Sequence, residues 1–288
     1  MFASNGDLAG YAAVWDNAPH VRLAAEVFVH PNHRGRSVGS FLGRWAEERA
    51  RQAVPQAPQG TRVALQQTVP STHTSARSLL ERQGYELVRH FFEMVIEMDA
   101  SPPQPNVPSG IVIRPFVRAT EDRALVHVIR DTFQDHWGHV AMPFEEEYAD
   151  WVHWMDDDPS FDESLWFVAI DGAGDAAVGV YGVDGGQVVG LSLCYDVTGE
   201  GPHVGTIENL GVRRPWRRRG IALALLHHSF GELYRRGKTT VTLGVDADSL
   251  TGATRLYEKA GMRVQHQYDR YEKELRPGED LTTQTLEE

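Results

Sequence analysis

The chain contains one cysteine, Cys194, among its 288 residues. A lone thiol excludes an intrachain disulfide and a zinc site made of four cysteines. Cys194 ends the apolar run Val188-Val189-Gly190-Leu191-Ser192-Leu193, which makes it a buried small hydrophobe rather than a nucleophile. No run of about 18 apolar residues occurs, so no membrane partner is expected. The N-terminus, Met1-Phe2-Ala3-Ser4-Asn5-Gly6, lacks the charged and apolar regions of a signal peptide, which leaves a cytoplasmic location as the default. Positive charge is scarce as well. Against 40 Asp and Glu stand 28 Lys and Arg, for a formal charge of −12. Broad nucleic-acid binding wants a basic face, so no nucleic-acid partner is expected. An acidic surface leans instead toward cationic small molecules such as amines. The 13 histidines are scattered. His136 and His139 are three apart but lack further ligands, so no metal is expected.

What remains is the composition of a globular protein, 41% hydrophobic and 24% charged, with length for two ordinary domains. The segment Asp99 to Gly110 holds four prolines among polar residues and reads as an extended connector. From Pro277 the chain is polar and reads as a flexible tail. The expected boundaries are therefore 1–98, a linker 99–109, 110–276 and a tail 277–288.

The order of elements repeats on either side of the linker. After it come a strand at Ile111–Phe116 and helices at 121–134 and 144–155, the second with Phe144, Tyr148, Trp151 and Met155 on one face. Strands follow at 165–170, 188–195 and 206–212, then a helix at 221–236 capped by Gly237. A strand at 241–245, a helix at 251–260 stopped by Gly261, and two strands at 262–267 and 268–274 close the unit. Before the linker, strands at 8–14 and 24–29, a helix at 38–51, a strand at 63–68, a helix at 75–83 and strands at 85–90 and 92–98 repeat the later part. Val29 and Val212, Arg34 and Arg217, Gly39 and Ala222 are each 183 apart, and Ala76 to Gly84 precedes Ala253 to Gly261 by 177. This is a tandem repeat whose first copy lacks the counterpart of roughly Ile111 to Gly185.

The most informative stretch runs from Ile207 to Leu223. An apolar strand enters a basic turn and leaves into a helix, which is an anion site in outline. The first amides of the helix, at Ile221, Ala222 and Leu223, point unpaired from its N-terminus, and Gly220 lets the backbone approach a phosphate. Arg213, Arg214, Arg217, Arg218 and Arg219 can add charge-assisted contacts. A P-loop would need Gly-Lys-Ser/Thr, and a dinucleotide fingerprint three glycines; neither is present.

The segment resembles the pyrophosphate loop of the GNAT acyltransferases, written Gln/Arg, two residues, Gly, one residue, Gly/Ala; Arg217, Gly220 and Ala222 satisfy it. Leu210-Gly211-Val212 resembles the strand whose backbone pairs with the pantetheine arm. Ser249 to Met262, with Leu256-Tyr257-Glu258-Lys259 at its centre, resembles the family's late helix, Ser249 standing where Asn is usual. The resemblance implies an α/β tandem fold, each copy a mixed sheet flanked by helices, the first incomplete. It implies acetyl-CoA as cosubstrate and a small-molecule or peptide amine as acceptor, in a monomer or homodimer. Acetyl would pass directly to the amine, with Tyr257 protonating the leaving thiolate and Glu208 the candidate base. Each also has a plainer reading: Tyr257 as a core aromatic, Glu208 as a solvated strand residue. His136 and Trp137 lie where acceptor contacts often fall in this fold. The acidic run Glu145-Glu146-Glu147, Asp150 and Asp156-Asp157-Asp158 attracts a cationic acceptor or is a solvated face.

The first copy keeps Arg34 and Gly39 but has Ser37 at the key glycine and Leu80 at the tyrosine. That predicts a non-catalytic, structural domain. The layout is similar to that of the mycothiol synthases within the family, which stay open as an alternative beside a non-catalytic acyl-CoA sensor.

Overall fold

The computed structural model describes residues 1–4, 6–172, 179–249 and 252–284. In chain order it contains β1 (Gly10–Trp15), β2 (Arg22–Val29), α1 (Val38–Arg51), β3 (Val63–Pro70), α2 (Thr74–Arg82), β4 (Glu86–Glu97), β5 (Ile111–Pro115), α3 (Asp122–Phe133) and α4 (Phe144–Asp157). There follow β6 (Trp166–Asp171), β7 (Gly182–Val183), β8 (Gly186–Tyr195), β9 (Val204–Val212), α5 (Ile221–Arg235), β10 (Thr240–Asp246), α6 (Ala253–Lys259) and β11 (Arg263–Arg276). The helix predicted from Thr251 is seen from Ala253; Leu250 and Thr251 lie outside the described residues. Among the described residues no helix is long and apolar enough to cross a membrane.

The chain forms two compact units, Met1–Phe91 with His266–Thr282, and Phe92–Gln265 with the residues from Thr283. The division falls inside β4 and β11 rather than in the proline segment. Each of these is one continuous strand where the sequence reading expected two. The reason is local: no glycine or proline interrupts Leu87 to Ile96 or Arg263 to Leu275, so nothing turns the chain. The tail is also more tied than its composition suggests. Glu279 accepts from the Arg62 amide and donates to the Gly60 carbonyl, both at 2.8 Å.

In the first unit β1 pairs antiparallel with β2, β2 parallel with β3, and β3 antiparallel with β11. Val63 to Gln67 of β3 are all buried, as a strand flanked on both edges and covered on both faces must be.

In the second unit the order is β4-β10-β9-β8-β6-β5, with β7 on β8. β6 shows how it is layered. Trp166, Val168 and Ile170 join α3 residues Leu125, Val128 and Ile129 in one core, while Phe167 and Ala169 join α5 residues Leu225 and Phe230 in another. Period-two alternation thus divides one strand between two faces, each roofed by a helix. α5 ends as predicted: Gly237 takes φ +83°, and Lys238 donates back to the Leu233 carbonyl at 2.9 Å. Cys194 is fully buried, and burial pushes its thiol up to about 11, so it remains protonated.

Candidate active site

The site begins where two parallel strands part. β10 and β9 are in register only at Thr240–Val204, Val241–Gly205 and Thr242–Thr206. Beyond that point Ile207 to Val212 remain paired to β8 alone, and the opposite edge of β9 keeps peptide groups without a strand partner. Leu210, Gly211 and Val212 occupy this edge. Gly211 has a second reason to lack a side chain: a Cβ there would lie 2.6 Å from Thr132 Oγ1 on α3.

Glu208 occupies a β-bulge. Leu193 of β8 faces Asn209 and Cys194 faces Ile207, so Glu208 is the extra residue between them. Bulges re-aim side chains, and this one turns Glu208 out of the sheet. Its carboxylate makes no hydrogen bond or ion pair among the described residues, and it lines a cavity of about 630 Å³ together with Tyr195, Trp151 and Trp154. Although the side chain is exposed to that cavity, the protein walls around it withdraw enough water to push its carboxyl above the usual glutamate range.

The strand-to-helix loop runs beyond the end of β9. Arg218 and Gly220 both take left-handed conformations, φ +61° and +86°. The first helical bond of α5 runs from the Ala224 amide to the Gly220 carbonyl at 3.0 Å, so the amides of Ile221, Ala222 and Leu223 have no helical acceptor. The nearest atom to a Cβ on Gly220 would be Pro108 Cγ at 3.9 Å, so glycine is needed for its φ rather than for space.

The arginine cluster divides in two. Arg213 Nε bonds Asp131 at 2.9 Å, and its guanidinium lies 3.4 Å from the Tyr181 ring centroid. Arg214 pairs with Asp135; Arg217 reaches Asp135 at 2.9 Å and the Val212 carbonyl at 3.0 Å. These three hold the loop to the end of α3. Arg218 and Arg219 are exposed and make no ion pair among the described residues, which leaves them free for an anion. Asp131 and Asp135 are functional residues the sequence reading missed; their signal was four-residue spacing at the end of a helix.

Asp135 is buried, and its bond to Arg214 first, then Arg217, holds its carboxyl below the usual aspartate range. A depressed folded value means the stabilisation is complete above the ordinary aspartate value of about 3.9 and lost as pH falls through the lower one. Asp135→Ala should cost about 2 kcal/mol at pH 7, since it leaves two guanidinium groups unpaired, one half-exposed. In urea melts the difference from the parent should shrink below about pH 4.

Tyr257 on α6 is buried in the core that also holds Val212, Ile221 and Leu243, and burial pushes its phenol up to about 12. It is therefore protonated throughout the physiological range, as an acid must be. Ser249 forms the turn before α6, its amide bonding the Asp246 carbonyl at 3.0 Å. His136 and Trp137 do not line the Glu208 cavity. His136 is flanked by Asp246, Asp135 and Arg217, and Trp137 Nε1 donates to Gln284 at 2.9 Å. Of the two, His136 lies near the loop, through Arg217. The acidic run on α4 also divides: Glu145 pairs with Arg123 at 2.6 Å and Glu147 with Arg130 at 3.5 Å, whereas Asp150 and Asp158 line the cavity.

The first unit repeats the loop's shape. Gly35 and Ser37 are left-handed at φ +73° and +63°, matching Arg218 and Gly220. β2 and β3 likewise hold register over three residues before parting. Leu80, at the Tyr257 position, is buried and has no proton to give.

Parted parallel strands beside an open helix N-terminus are the features of an acyltransferase fold. A sequence model described as the acetyltransferase (GNAT) family matches residues 129–262, and one described as an acetyltransferase (GNAT) domain matches residues 1–87. A protein named mycothiol acetyltransferase from Saccharopolyspora erythraea is 30% identical over 264 residues, spanning 89% of this chain and 78% of its own. The crystal structure of a GCN5-related N-acetyltransferase from Sphaerobacter thermophilus is 38% identical with a TM-score of 0.78, covering 99% of this chain and 82% of that one. A tandem GNAT protein from the clavulanic acid biosynthesis pathway shares the fold at a TM-score of 0.68 and 15% identity, over 96% of this chain and 82% of its own. The chain belongs to the GNAT family of acetyltransferases, with two such domains in tandem.

Proposed function

We propose that the second unit transfers an acetyl group from acetyl-CoA directly to a primary amine. One observation carries this reading: the bulge places an unpaired carboxylate, Glu208, in a cavity beside the parted strands. The amides of Ile221, Ala222 and Leu223, with Arg218 and Arg219, bind the diphosphate; the free edge of β9 at Leu210 to Val212 binds the pantetheine arm. An ammonium entering the cavity loses a proton to Glu208, directly or through water. The neutral amine then attacks the thioester carbonyl, the C–S bond breaks, Tyr257 protonates the departing thiolate, and the extra proton on the acylated nitrogen passes through solvent to restore the phenol. The first unit, without a phenol at position 80, has a structural role.

Free thiol release measured over a panel of amines tests the reaction. Tyr257→Phe should lower kcat by about 10²-fold while leaving the KM for acetyl-CoA within a few-fold. Unchanged turnover would remove Tyr257 from the mechanism. The relative from Saccharopolyspora erythraea supports a second reading, an acceptor of the mycothiol type, and the panel includes a mycothiol precursor for that reason.

A further inference from the structure

The cavity around Glu208 carries more negative charge than one proton transfer requires. Asp150, Asp158, Glu200 and Glu208 all line it, and no lysine, arginine or histidine does. None of the four makes an ion pair among the described residues. Asp158 accepts only from the Ser160 amide and hydroxyl, at 2.9 and 2.6 Å. Elsewhere on the same helix, carboxylates are neutralised: Glu145 by Arg123, Glu147 by Arg130, Asp156 by Arg118. Glu146, exposed and outside the cavity lining, also has no ion pair among the described residues; what singles out the cavity is that four acids line it and no basic side chain does.

The remaining wall is aromatic. Trp151 and Trp154 meet at 5.3 Å with planes at 88°, and Trp154 meets Tyr195 at 5.9 Å and 65°. Rings set near right angles around a recess present electron-rich faces from several sides, which attracts a cation. Trp154 is 37% exposed and lines the cavity. The Tyr195 hydroxyl, in a side chain 5% exposed, has no hydrogen-bond partner of acceptable geometry.

The geometry points to an acceptor with at least two positive charges, a di- or polyamine whose second ammonium is held by Asp150, Asp158 and Glu200 against Trp151 and Trp154 while the first is deprotonated by Glu208. This rests on the acetyl transfer proposed above. A monoamine would satisfy Glu208 and leave the three other carboxylates of the cavity wall without a counter-charge. The volume of about 630 Å³ also exceeds what a short monoamine fills.

The test compares 1,5-diaminopentane and spermidine with pentylamine and glucosamine, each carrying a single charge, in thiol-release kinetics. The diamines should exceed pentylamine at least tenfold in kcat/KM, mostly through KM, and the advantage should shrink between 0.05 and 0.5 M salt. Asp150→Asn with Glu200→Gln changes two exposed side chains and should lower the diamine-to-monoamine ratio at least fivefold. A ratio near one in the parent, or an unaltered ratio in the double variant, overturns the inference while acetyl transfer stands. Release with the mycothiol precursor or glucosamine alone also overturns it. Were no amine to release thiol, acetyl transfer itself would fail. Calorimetric titration of spermidine into the CoA-loaded protein then decides the cavity separately: no heat, or equal heat for pentylamine, sinks it.

Discussion

Glu208→Gln should lower kcat/KM for an amine acceptor by about 10²- to 10³-fold at pH 7, the range typical of removing a general base. The substitution is nearly isosteric and the side chain has no partner to lose, so melting behaviour should not move. The pH profile distinguishes a base from a bystander. In the parent, activity should rise along an acid limb whose midpoint lies above the ordinary glutamate value of about 4.3, because the surroundings disfavour the carboxylate. The variant should lack that limb. Its deficit should narrow at high pH, where the acceptor loses its proton to solvent before binding. Equal kcat/KM for both proteins across the profile would mean that water alone takes the proton.

The second large effect falls on the loop. Gly220→Glu should weaken acetyl-CoA binding by at least about 10²-fold, or roughly 2.7 kcal/mol, in calorimetry. Two causes combine. A side chain at φ +86° costs about 1 kcal/mol, and a carboxylate at the helix N-terminus occupies the space and reverses the charge meant for a diphosphate. The two are separable because the first unit contains the control: Ser37 already adopts φ +63° at the matching position. Gly220→Ser should therefore fold normally and lose only several-fold in affinity. If Glu and Ser were equivalent, strain and not charge would explain the loss, and the loop would not be the diphosphate site.

The backbone form of the loop at Gly220 was legible in the sequence because it is local. A strand, a turn with one glycine and the first turn of a helix lie within about seventeen residues, and backbone amides depend on no distant partner. Glu208 was legible by adjacency to that strand; the bulge that frees it needed the opposing strand to be seen. Side chains whose roles depend on distant partners were not legible. Five arginines in seven positions read as one basic cluster, and only Asp131 and Asp135, some eighty residues earlier, divide them into three that anchor and two that remain free. His136 and Trp137, expected at the acceptor from the resemblance, are absent from the lining of the Glu208 cavity. The acidic run on α4 was read as an attractor of a cation or as a solvated face, and which of its acids face the cavity depends on where Arg118, Arg123 and Arg130 reach.

The paths of β4 and β11 have a consequence for biosynthesis. The first unit needs residues 266–282 to cover the edge of β3, and those residues are translated only after the strands and helices of the second unit. The half of the protein that is translated first is thus the half that closes last. Until β11 emerges, β3 presents an uncovered strand edge in a nascent chain, the kind of surface that chaperones shield.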